Sequence, residues 1–337
     1  MTTVSRRKFL KAGTAGVLGV AGAASILTLP NNAQHAAALQ QPIDHHDIHG
    51  GNSMTGDVDP NQTNRFDPTA MLTDFDYGKV STLPNEQTLR EYDFFAVDKE
   101  IEIAPGVFFP AWAYNGRVPG PTIRATEGDR VRINFVNGSA HPHSIHFHGF
   151  HLPTMDGLEA VPVGGRFVYE FNAEPFGLHL YHCHVMPLKR HIHKGLYGGF
   201  IVDPKEGRPP ARELYMMMNA FDTNFDGGNE VYAVNTVGFH FQRHPIQIKV
   251  DELIRIYLIN IVEFDLINSF HLHANFFDVY RTGTRLKTDE FTDTIMLAQG
   301  ERAILETRFK YPGRYMFHAH VSEFAELGWL GMFEVTP

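Results

Sequence analysis

From Thr88 onward the chain is written in short apolar segments broken by turn residues. Phe94–Val97, Ile101–Ile103 and Val131–Val136 alternate or cluster as strands do. Pro105-Gly106, Pro119-Gly120-Pro121 and Glu127-Gly128-Asp129 separate them. This spacing predicts an all-β sandwich or barrel. Asp203-Pro204 through Pro209-Pro210 reads as a joint, and strands resume at Leu214–Met218, Ile246–Val250 and Leu253–Ile261. Each half then runs in the same late order: strand, His-x-His, connection, strand, His-x-His, Gly-rich apolar end. Ile145-His146-Phe147-His148 and Tyr181-His182-Cys183-His184 answer to Phe270-His271-Leu272-His273 and Phe317-His318-Ala319-His320. Two tandem β domains, over 88–205 and 211–337, related by internal duplication, are the simplest account.

The first 87 residues break this pattern. Ser5-Arg6-Arg7-Lys8-Phe9-Leu10-Lys11, the apolar run Ala12–Leu29 and the small residues Ala36-Ala37-Ala38 resemble a twin-arginine signal over 1–38. That resemblance implies export to the periplasm, the exterior or the cell surface, with no stable membrane span once the signal is removed. Residues 39–87, with His45, His46 and His49, read as an irregular solvated arm.

Composition narrows the chemistry. A length of 337 residues suffices for two domains with separate cores, and a net charge of −9 argues against nucleic acid as a partner. One cysteine excludes an intramolecular disulfide and any four-cysteine metal site, whereas 20 histidines, mostly in His-x-His runs, are far more than packing requires. Side chains two apart on a strand share a face, so each pair presents two imidazoles together. In His182-Cys183-His184 the thiol must then point the other way, towards a separate site behind the strand. Cys183, His191 and His143, the last reached through a bend, make the His₂Cys set that blue copper uses. Met186 is the alternative axial ligand and His193 the alternative to His191. Gly195-Leu196 falls where Gly-Met stands in many cupredoxins, so Leu196 is expected to leave the axial position unligated and raise the potential.

His143-x-x-His146-x-His148 and His182-Cys183-His184 with a downstream histidine resemble the copper signatures of multicopper oxidases. Asn115–Ile123 and Glu127–Val131 resemble the amino-terminal cupredoxin strands of that family, and the likeness covers 88–337. The resemblance implies two cupredoxin domains and a type 1 copper on His143, Cys183 and His191. It implies a type 2 copper on His146 and His271, and a type 3 pair on His148, His182, His184, His273, His318 and His320. A laccase-like oxidase with four coppers per chain follows, assembled as a homotrimer with each trinuclear cluster between neighbouring subunits. Two features depart from the family: the Cys183–His191 spacing is nearer that of copper nitrite reductases, and Val250-Asp251-Glu252 stands where a Gly-Asp or Gly-Glu turn is usual.

On this reading electrons pass from a phenol, an aromatic amine or a metal ion such as Cu(I), Fe(II) or Mn(II) to the type 1 copper. They continue through Cys183 and His182 or His184 to the cluster, where dioxygen becomes water. Asp156, Glu323 and Glu326 are candidates for proton delivery. Structural roles are expected for His141, His151, His179, His193, His240 and His244, and core filling for Met216-Met217-Met218. A copper nitrite reductase is the nearest alternative, although that family carries aspartate where His146 stands and a non-ligand where His184 stands. A non-enzymatic blue-copper protein is the second alternative.

Overall fold

A computed structural model describes residues 56–337. The signal-like segment and His45, His46 and His49 lie outside the described residues. Four sheets stack as two sandwiches. In the first, an inner sheet orders Phe75–Asp76, Thr122–Thr126, Tyr197–Asp203, Gly177–His182 and His146–Phe147, and an outer sheet orders Lys79–Thr82, Thr88–Ala104, Arg130–Asn137 and Arg166–Asn172, with Val107–Tyr114 paired to Thr88–Ala104. In the second, the inner sheet is built on Arg212–Phe221, Ile254–Asn260 and Arg302–Thr307, and the outer sheet on Leu330–Thr336, Gly313–His318 and Ile267–Leu272.

Three cores follow from this layering. Tyr92, Phe94, Ile133, Phe147, Tyr181 and Cys183 fill the first sandwich; Met216, Leu258, Phe270, Phe317 and Trp329 fill the second. A third core joins the two inner sheets through Leu178, Leu180, Tyr215, Met217, Tyr257 and Ile259. A strand buried on both faces needs apolar residues at every position rather than at alternate ones. Met216 and Met218 therefore point into the second sandwich and Met217 into the third core, all fully buried as core filling. At the joint, Arg124 is bonded to Asp203 and Glu213, while Arg255 is bonded to Glu213 and Glu306, a charge network that ties the two inner sheets together.

Two expectations are corrected. Phe94–Val97 and Ile101–Ile103 belong to one strand, Thr88–Ala104, whose polar middle at Asp98–Glu100 is solvent-facing and whose last four residues are all buried. The arm is not irregular throughout its length: Pro60–Thr63 and Pro68–Met71 are short helices capped by the Asp59 and Asp67 side chains. Phe75–Asp76 pairs with Thr122–Ile123, Lys79–Thr82 pairs with Thr88–Glu91, and buried Asn64 exchanges two hydrogen bonds with the Glu102 backbone. The unusual turn at Val250-Asp251-Glu252 places Asp251 at φ 60°, where glycine would be less strained. Among the described residues no helix is long and apolar enough to cross a membrane.

Candidate metal centres

The strand Gly177–His182 delivers its alternate residues to opposite sides of the inner sheet. Leu178 and Leu180 face the third core, whereas Tyr181 and then Cys183 enter the core of the first sandwich. The Cys183 Sγ lies 3.2 Å from His191 Nδ1 and 3.8 Å from His143 Nδ1, and those two nitrogens are 3.1 Å apart. All three residues are buried. His143 precedes the short strand His146–Phe147 in an isolated bridge with Val161, which is how it reaches the thiol side. His191 is brought in by the helix Leu188–His193. His143 Nε2 is held by Ser139 Oγ at 2.9 Å, leaving Nδ1 aimed at the sulfur.

Leu196 is fully buried, and its carbonyl accepts the Cys183 N–H at 2.9 Å. Gly195 before it sits at φ 114°, where an added Cβ would meet Val118 and the Trp112 carbonyl. The alternatives to these residues are placed elsewhere. Met186 is 76% exposed, on the rim of a cavity of about 530 Å³ that also touches His148 and His182. His193 accepts the Asp222 N–H at 3.0 Å and packs its ring on Phe109 and Phe264, a structural role.

On the other side of the strand His146, His148 and His182 present ring nitrogens within 4.8 Å of one another. His184 joins them, its ring centroid 5.1 Å from that of His146. His271, His273 and His318 form the matching group in the second domain, with His320 at 5.2 Å from His271. Carbonyls fix the tautomers: His146 Nδ1 donates to Asp156 O, His182 Nδ1 to Cys183 O, His271 Nδ1 to Asp293 O and His318 Nδ1 to Ala319 O, at 2.6–3.0 Å. Each Nε2 is thereby left as a lone pair pointing into its group, the form a metal requires.

Burial reinforces that state. It lowers the pKa of His143 and His148 to about 3 and of His182 and His191 to about 4, with neighbouring positive groups adding to the effect. His273 and His318 are lowered for the same reason. Burial raises the Cys183 thiol, partly offset by the Ser144 N–H that donates to Sγ at 3.4 Å. Imidazoles held neutral by burial and a thiol whose ionisation burial disfavours suit a pocket that a cation completes.

Of the proton-delivery candidates, Asp156 Oδ1 lies 3.2 Å from His146 Nδ1 and 3.6 Å from His151 Nε2. Glu323 and Glu326 are exposed on the helix Ser322–Glu326, and among the described residues no hydrogen bond or ion pair joins their carboxylates to a histidine. Two supporting serines went unread in the sequence: Ser144 Oγ accepts the His184 N–H at 3.3 Å, and Ser269 Oγ accepts the His320 N–H at 2.7 Å. The repeated Ser-x-His, Ser144-Ile145-His146 and Ser269-Phe270-His271, is the signal that marks them. Trp112 was missed as well; its ring lies over both His143 and His191.

Residues 97–207 and 208–337 match two family models, each described as multicopper oxidase. A crystal structure of a multicopper oxidase is 58% identical, with a TM-score of 0.82, over 83% of this chain and 100% of that one. The copper nitrite reductase of Nitrosomonas europaea is 28% identical with a TM-score of 0.70, over 74% of this chain and 94% of that one. The copper-containing nitrite reductase of Neisseria gonorrhoeae is 33% identical over 249 residues, 66% of this chain. The chain spans 62–63% of the length of that protein and its Neisseria meningitidis counterparts.

Proposed function

Because the chain belongs to the multicopper oxidase family, we propose that this copper-dependent oxidoreductase is a laccase-like oxidase. It takes single electrons from a phenol, an aromatic amine or a metal ion and passes them to dioxygen, giving water. The donor sets fit copper: a buried thiol with two imidazoles for a type 1 ion, and imidazole groups free of carboxylate ligands for the rest. His143, Cys183 and His191 would hold the type 1 copper, His146 and His271 the type 2, and His148, His182, His184, His273, His318 and His320 the type 3 pair. Copper supplies the one-electron chemistry and the activation of oxygen.

The chain's own residues do the rest. Leu196, fully buried beside Cys183, would offer a bound copper no sulfur ligand, which would favour its reduced state. Cys183 connects to His182 and His184 through single peptide units, and the His182 Nδ1 bond to the Cys183 carbonyl adds a second route between the two sides of the strand. Asp156 orients His146 through its carbonyl and holds a carboxylate 3.2 Å away, placed to pass protons to the oxygen site. Export through the twin-arginine route belongs to the same proposal.

The carrying observation is the first histidine group. His146 and His184 stand where nitrite reductases have an aspartate and a non-ligand, and both rings face the group, 5.1 Å apart. The 33% identity to nitrite reductases and the long Cys183–His191 connection favour the second reading, reduction of nitrite to nitric oxide at a lone type 2 copper. A non-enzymatic blue-copper protein leaves the second-domain histidines without a task.

Assembly as a trimer belongs to the same proposal. Ring contacts of the first histidine group run within the first domain and those of the second within the second domain. His273 and His320 are exposed in the single chain, as are Phe150 and Leu152 just after His148 and Leu266 and Ile267 just before His271. A head-to-tail ring would cover both groups and bring each against its neighbour's counterpart. Metal analysis with oxygen and nitric oxide electrodes tests the function. About four coppers per chain with oxygen uptake is expected; about two, with nitric oxide from nitrite and no oxygen uptake, overturns it in favour of the reductase.

A further inference from the structure

We propose that Trp112 is the bridge through which electrons reach the type 1 site, and that the surface around it selects anionic reductants. This rests on the type 1 part of the function proposed above and is independent of what accepts the electrons afterwards.

The layering is direct. His143 and His191 are buried, and the Trp112 ring covers both, with centroid distances of 5.1 and 4.8 Å. Trp112 is itself 6% exposed. On it lie the half-exposed His141 ring at 4.6 Å and the guanidinium of exposed Arg190 at 5.3 Å. Its backbone is fixed by an N–H bond to the Lys194 carbonyl at 2.8 Å. No other tryptophan, tyrosine or phenylalanine ring among the described residues touches both imidazoles.

The charged groups lying against this ring, Arg190 and Lys194, are cations. Arg190 and exposed Lys189 are neighbours, and Lys194 lies among the rings of Phe109, Trp112 and Phe225 at 4.8–5.9 Å. Among the described residues none of the three forms an ion pair. They lie instead against aromatic faces, including Phe264 beneath Lys189 at 4.1 Å. Of the nearby carboxylates, Asp98 is engaged by Ser139 Oγ and the Ala140 N–H, each at 2.8 Å, and Glu263 lies near Lys189 on the wall of the same cavity. In a chain of net charge −9, Arg190 and Lys194 against the electron-accepting ring, with Lys189 next to Arg190 in the chain, attract anions to the one place where an electron is useful. The reductant would give up one electron and be oxidised by one equivalent; a copper held by His143, Cys183 and His191 would be reduced by one, with Trp112 coupling the two without itself being oxidised.

The test follows bleaching of the blue band under argon in the copper-loaded full chain, with ferrocyanide as anionic donor and hexaammineruthenium(II) as cationic donor. Rates with ferrocyanide are expected to fall about threefold or more as salt is raised from about 10 to 200 mM, while those with the ruthenium cation rise. Arg190→Glu with Lys189→Glu is expected to flatten or invert both slopes. Trp112→Leu is expected to slow both donors severalfold with the blue band unchanged, and Trp112→Phe to restore most of the rate. Emission supplies a readout apart from turnover: Trp329, the other tryptophan, is fully buried, so in the reduced full chain iodide is expected to quench more strongly than caesium. Equal salt slopes for the two donors, caesium quenching as strongly as iodide, or unchanged rates in Trp112→Leu overturns the proposal. Absence of a blue band in the loaded wild type would instead overturn the type 1 assignment, while the quenching comparison would still report on the surface.

Discussion

At the scale of single residues, the two halves of the duplicated fold show what makes a blue-copper pocket and what replaces it. Ser144 and Ser269 hold equivalent bonds, and Leu196 N to His191 O matches Trp329 N to Phe324 O. His143, Cys183, His191 and Leu196 therefore correspond to Asn268, Ala319, Phe324 and Trp329. The second pocket is filled by an indole and a phenyl ring, and Asn268 Nδ2 and Trp329 Nε1 are buried there without a hydrogen-bond partner. Cys183→Ser is expected to abolish the blue absorption and turnover while the trinuclear magnetic signal persists; loss of all copper would mean that the two centres cannot be separated. Leu196→Met is expected to lower the type 1 potential in a spectroelectrochemical titration, by adding a sulfur ligand that favours the oxidised metal.

At the scale of elements, short strands carry the metal chemistry and their neighbours hold the rings in place. Trp329 enters the final strand from a turn and packs edge-on against Phe270 and Phe317, on the strands that carry His271 and His318. Trp329→Ala is expected to cost about 3–5 kcal/mol in urea unfolding and to loosen the second histidine group, leaving the blue absorption intact. Buried histidines outside the centres set a pH limit. His179, bonded to the Pro175 carbonyl, and His240, bonded to Thr69, are both held to about 4 by burial. In the unfolded chain they titrate near about 6.5. The folded state thus binds fewer protons in between, so their stabilising effect is complete above about pH 6.5 and is lost as pH falls towards 4. The melting temperature is expected to drop across that window, and His240→Gln to shallow the drop in a fluorimetric scan.

At the scale of the whole molecule, the shared third core fixes the two sandwiches so that their histidine groups remain apart within one chain. With the trimer proposed above, activity is expected to depend on assembly. Chains carrying His148→Ala and chains carrying His320→Ala, each inactive alone, are expected to regain partial oxygen uptake after being unfolded and refolded together with copper. No recovery would argue against clusters shared between subunits.

The chemistry was legible in the sequence because it is local. His-x-His on a strand puts two imidazoles on one face wherever the strand lies, and a central cysteine must then face away. Duplication was legible for the same reason, as repeated order along the chain. Folding decided what depends on distant segments meeting. Met186 and His193 stood as the alternatives to Leu196 and His191; in the fold Met186, just before the helix Leu188–His193, is exposed, and His193 accepts the Asp222 N–H. The arm was polar in sequence yet became part of the sheets, because edge strands are recruited by backbone bonds that composition does not reveal. Trp112, 71 residues before Cys183 in the chain, gained its place over the imidazoles only through the pairing of strands.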